Sequence, residues 1–97
     1  MRARCVVRAA GSYCAFQNVG PRAAQGCFVV RVRARPGGAV RAEARACSGP
    51  LAPGEQSAAR PLVFPGDDPL GGCAADPASH EVRGCVSEVS AERIESL

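Results

Sequence analysis

The sequence predicts an all-β antiparallel sandwich stapled by disulfides, and three observations predict it. Apolar and polar residues alternate with period two in five or six short segments. Turn signals built on Gly and Pro recur about every ten residues. Six cysteines are spread through 97 residues, an even count of the kind that frames small disulfide-bonded domains. The expected organisation is one domain over residues 1–97, with its core in about 3–89 and a tail or short helix over 90–97.

The strongest element runs from Cys27 to Cys47. Phe28, Val30, Val32 and Ala34 alternate with Cys27, Val29, Arg31, Arg33 and Arg35. Beyond Pro36-Gly37-Gly38, Val40, Ala42, Ala44 and Ala46 alternate with Arg41, Glu43, Arg45 and Cys47. Two period-two runs around a Gly-containing turn predict a β-hairpin. Pairing residues whose numbers sum to 74 closes a three-residue loop and gathers the apolar residues on one face. The same register sets Arg31 opposite Glu43, Arg33 opposite Arg41 and Cys27 opposite Cys47. The register comes from the apolar pattern alone, so the meeting of two cysteines supports it independently.

The other elements follow in order. Ala3, Cys5, Val7 and Ala9 alternate with Arg2, Arg4, Val6 and Arg8, which makes a strand with an arginine outer edge. Ala10-Gly11-Ser12 breaks it. Tyr13–Asn18 is a second strand, with Cys14, Phe16 and Asn18 on one face, and a polar loop through Gly26 leads to the hairpin. Ala58–Phe64 is a strand that Pro61, lacking an N–H, confines to an edge or interrupts. Residues 65–79 hold too much Pro, Gly and Asp for regular structure. Glu81–Val89 reads as a late strand. Ser90 can cap a short helix over the last residues.

Composition limits the core. Eighteen of the apolar residues are Ala, and Leu, Ile, Val and Phe together number only 19. Small domains leave much of their surface wet, so this one needs covalent constraint. Zinc is the rival use of the cysteines, but zinc ligands come in tight pairs. Here the intervening gaps are 8, 12, 19, 25 and 11 residues. All 12 basic residues are Arg and the net charge is +3. No stretch approaches the length of a membrane span. Arg8 interrupts the apolar run that an export signal would need, so an oxidised chain is expected to be a module of a longer exported protein.

Two turn motifs carry a family resemblance. A strand ending Phe16-Gln17-Asn18-Val19-Gly20, then a valine-rich strand and Leu51-Ala52-Pro53-Gly54-Glu55, resembles the bacterial Ig-like modules of CARDB or adhesion type, over about residues 6–65. The resemblance implies an Ig-like antiparallel sandwich, an extracytoplasmic setting and a binding or spacing role, with no catalytic residues to carry over. Residues 67–78 do not read as the strand that the family places there, and six cysteines exceed its usual number.

With Cys27–Cys47 assigned, three pairings of the other four remain. A local bridge Cys73–Cys85 is easy to close and leaves Cys5–Cys14 on adjacent strands. The competing scheme joins Cys14 to Cys73 and Cys5 to Cys85. The local scheme is preferred.

Catalytic chemistry finds little purchase. His80 is the only histidine, and its neighbours Ser79 and Asp76 suit a loop better than a triad because adjacent residues point apart and no nucleophile elbow exists. Asp67, Asp68 and Asp76 lack the calcium-loop spacing. Gly71-Gly72 follows no strand and opens no helix. The expectation is therefore no enzyme, no cofactor and no metal.

The candidate binding face is Arg31, Arg33, Arg35, Arg41 and Arg45 on the outside of the hairpin, offset by Glu43. Such a face can dock an acidic protein surface or an anionic envelope component, or it can be a solvated face that discourages edge pairing. One Tyr and no Trp offer little to stack bases, which argues against nucleic acid. The expected function is recognition or spacing by a periplasmic, secreted or cell-surface module of a bacterial protein. The alternatives are a free-standing disulfide-rich inhibitor acting through loop 65–79, and a cytoplasmic protein with reduced or metal-binding cysteines.

Overall fold

The period-two segments become six strands: β1 (Arg2–Val6), β2 (Tyr13–Gln17), β3 (Ala24–Arg33), β4 (Val40–Cys47), β5 (Arg60–Pro61) and β6 (Val86–Ser96). The structure is a computed structural model and describes all 97 residues. The strands form two antiparallel three-stranded sheets, ordered β1-β2-β5 and β4-β3-β6. The chain is all-β, as expected.

The hairpin β3–β4 keeps the expected register from Cys27↔Cys47 to Val32↔Ala42. It then slips, and Arg33 lies opposite Val40 rather than Arg41. The loop accordingly widens to residues 34–39, with Gly37 at φ 73°, where a Cβ would be strained. The slip separates two guanidinium groups that the simpler register would have set face to face. Arg33 Nη1 donates to Gly38 O at 2.6 Å and ties down the loop, while Arg41 Nη2 donates to Gly71 O at 2.7 Å.

Between the sheets lies a core built on Phe16, Val30 and Val32, all essentially buried, with Phe28, Leu51, Leu62 and Phe64 around them. The rings of Phe16 and Phe28 lie 5.5 Å apart and tilted. Ala42, Ala44 and Ala46 line the β4 side at 6–8% exposure. Small side chains suffice there because the facing sheet supplies the bulk.

Asn18 joins the two turn motifs. Its Nδ2 donates to Arg22 O (2.7 Å) and Leu51 O (3.1 Å), and its Oδ1 accepts from Gly20 N–H (3.0 Å). Gly54 N–H donates to Asn18 O, and Asn18 N–H to Glu55 O. Every polar atom of this buried amide is used, which is what makes its burial tolerable.

All six cysteines are bonded, as Cys5–Cys14, Cys27–Cys47 and Cys73–Cys85. The preferred local scheme holds. Cys14 is fully buried, so the first bridge belongs to the core, whereas Cys27–Cys47 lies on the outer face of its sheet.

The end of the chain departs from expectation. Residues 90–97 form neither a tail nor a helix: β6 continues through them to Ser96 and pairs with β3 from Ala24↔Ser96 to Arg33↔Val86. The earlier part of the expected late strand is different again. Residues 80–82 make a short antiparallel contact with Val7–Ala9, and the ladder proper starts only at Val86. A slip between Cys27 and Phe28 leaves Glu92 as an extra residue in β6. That bulge moves the inward row from Val89 and Ala91 to Ile94, which breaks the period-two pattern and hides the strand.

Candidate anion-binding surfaces

The outer face of the sheet β4-β3-β6 carries the arginines singled out by alternation, and β6 brings acids to them. Arg31 Nε donates to Glu43 Oε2 and Arg33 Nε to Glu88 Oε1, both at 2.8 Å. Arg45 forks onto Glu92, with Nε to Oε2 at 2.6 Å and Nη2 to Oε1 at 2.5 Å. This last pair spans Val29, which lies between Arg45 and Ser90 in the ladders and is buried although it points outward. Arg93 pairs with Glu95 on the same strand.

Of the five candidates, only Arg35 has neither an acidic nor a carbonyl partner for its guanidinium. Glu43 is thus not the sole offset: β6 sets Glu88 against Arg33 and Glu92 against Arg45. Exposed pairs of this kind contribute little stability each, yet they neutralise the field that an anionic ligand would meet.

A second basic feature lies on the other sheet. Arg2 and Arg4 are exposed on the outer face of β1, opposite Gln17 and Ala15 of β2. Neither enters any of the five ion pairs. The outer row of β2 is Tyr13, Ala15 and Gln17, without a carboxylate. Gln17 bridges to Gln56, and a shallow groove runs between Arg2, Arg4, Gln17, Gln56 and Ser57. Two guanidinium groups at alternate strand positions, with two side-chain amides beside them, make a donor-rich surface. The sequence showed the arginine edge, and the signal that distinguishes it is the acid-free partner strand.

Asp76, Ser79 and His80 are brought together, but the carboxylate is occupied. Asp76 Oδ1 accepts from the backbone N–H groups of Ala78 and Ser79, at 2.8 and 3.0 Å, and Oδ2 bonds Arg83 Nη2 at 2.7 Å. The Ser79 and Ala78 N–H groups hold its pKa below the usual carboxylate value, and His80 contributes weakly. This is a turn cap. Ser79 Oγ accepts from Glu81 N–H, and His80 itself takes φ 64° in the turn. No three His, Cys, Asp or Glu side chains gather in a metal-binding arrangement. No helix is long and apolar enough to cross a membrane.

Comparison with known proteins gives no match among family models, curated proteins or solved structures.

Proposed function

We propose that the chain is a non-catalytic, extracytoplasmic Ig-like module that recognises an anionic envelope polymer through the outer face of β1–β2. The observation that carries this reading is the pair of unpartnered guanidinium groups, Arg2 and Arg4, flanked by Gln17 and Gln56 and paired with a strand whose outer row has no carboxylate. Repeated anionic groups along an extended polymer suit cations at alternate positions of a strand, about 7 Å apart. The three disulfides fit an oxidising compartment. The resemblance of the Asn18–Gly20 and Leu51–Glu55 turns to Ig-like modules supports the domain type, and here these turns bond to each other.

The test is a titration with a polyuronate and with polyphosphate at low salt, read by backbone amide shifts. The expected response centres on β1, β2 and Gln56. Arg2→Glu with Arg4→Glu should weaken binding at least about tenfold, whereas Arg31→Glu with Arg33→Glu should change it by less than about threefold. The reverse ranking would move the site to the hairpin, and no response to either polymer would overturn the reading. Alkylation of all six cysteines without reductant would overturn the extracytoplasmic assignment.

A further inference from the structure

Strand β6 has one neighbour. β3 occupies one of its edges, and the other edge runs eleven residues, Val86–Ser96, without a partner. Its inward row is Ser87, Val89, Ala91 and Ile94, opposite Val32, Val30, Phe28 and Gly26. None of these is buried: Val89 is 41% and Ile94 49% exposed, and no β6 residue belongs to the core. Natural sheets shorten or cover such an edge, bulge it, or point charges inward along it, and of these devices β6 carries only the bulge at Glu92. β6 is long, uncovered, and uncharged on its inner row.

We propose that a second copy of this chain pairs antiparallel along β6, about a two-fold axis at Ser90. The bulge at Glu92 makes the strand complementary to itself. In an unbroken strand centred on Ser90, Glu88 would face Glu92, and like charges directly opposite are unfavourable. With Glu92 extruded, Glu88 meets Arg93 of the second copy, and the symmetry repeats the contact. On the inner row Val89 meets Ala91 and Ile94 meets Ser87, so no charge enters that side.

Within each copy Glu88 already bonds Arg33 and Arg93 bonds Glu95. Across the seam the charges would therefore alternate Arg33, Glu88, Arg93, Glu95. The product is a continuous sheet ordered β4-β3-β6-β6-β3-β4 with the β6 edges consumed. An isologous contact of this kind closes on itself at two chains. It leaves Arg2 and Arg4, on the other sheet, free.

Sedimentation equilibrium over about two decades of concentration, into the high micromolar range, tests the proposal. The expected result is a mass rising from one chain to two. Glu88→Arg alone and Arg93→Glu alone set like charges at the seam and should each weaken association about tenfold. An equimolar mixture of the two variants restores opposite charges at both seam positions and should recover association close to the unmodified chain. Misfolding could not be repaired by mixing. A one-chain mass at every concentration, a dimer indifferent to either substitution, or a loss that mixing does not restore overturns the proposal. None of these outcomes bears on Arg2 and Arg4, so the polyanion reading stands or falls separately.

Discussion

The two flanks of β3 solve the same pairing problem in opposite ways. On one side β4 adds a local hairpin whose inner row is only Ala42, Ala44 and Ala46, yet all three are buried. On the other side β6 returns from about sixty residues away and presents Val89 and Ile94, larger side chains that stay half exposed. Burial here follows position under the opposing sheet, not side-chain size. The β4 flank is held by packing and a disulfide. The β6 flank is held by its backbone ladder and by ion pairs to Arg33 and Arg45.

That contrast can be broken experimentally, and the largest effect should come from its covalent part. Replacing Cys27 and Cys47 together by Ala should lower stability by roughly 3 kcal/mol in the loop-entropy treatment, measured by urea denaturation. Neither cysteine lies in the core, so a loss well beyond that would mean the bridge also maintains packing.

Ala44→Leu should destabilise by about 1–3 kcal/mol, because a buried small position under the opposing sheet cannot accept three extra carbons without displacing neighbours. A neutral result would show that the β4 flank is loosely packed after all.

A double-mutant cycle on Arg33 and Glu88, run by the same denaturation, should return a coupling of about 0.2–1 kcal/mol, since Glu88 is half exposed. Larger coupling would make the ion pairs, rather than the backbone ladder, the main hold on β6. In the isolated chain Val89→Ala and Ile94→Ala should each change stability by less than about 0.5 kcal/mol, because both side chains are exposed.

The smallest effect concerns the turn that leads toward β6. Asp76 has a depressed pKa, so its contribution is present above the unfolded-state value and is lost as pH falls through the folded-state value. Protection of the Ala78 and Ser79 amides, relative to their intrinsic exchange, should therefore fall only below the ordinary carboxylate value of about pH 4. Asp76→Asn should abolish that pH dependence.

Much of the fold was legible because it is local. The Cys27–Val32 register, the outer position of the Cys27–Cys47 bridge and the edge place of the strand holding Pro61 all follow from period-two patterning and turn chemistry, although that strand is only Arg60–Pro61 and not Ala58–Phe64. The bridges Cys5–Cys14 and Cys73–Cys85 were only preferred over a crossed pairing, on the closeness of their partners in sequence, and the structure has that local scheme. The slip at Arg33 was not legible, because it depends on Arg33 finding Gly38 O and Arg41 finding Gly71 O. The balance of the arginine face was hidden for a related reason. Glu88 and Glu92 read as polar residues of a late strand or helix until β3 placed them beside Arg33 and Arg45. Arg2 and Arg4 were visible as an edge, but their lack of acidic neighbours is a property of the assembled sheet.

The sequence by itself determined an all-β chain, its central hairpin and the Cys27–Cys47 bridge, since each depends on alternation around one short loop, whereas the pairing of the other four cysteines was chosen by the fold. Tertiary structure alone decided that residues 86–96 are one strand. The bulge at Glu92 removes the periodicity that would announce it, and its partner is the second edge of β3, far away along the chain. The same long-range pairing decided which arginines are neutralised and which edge is left open.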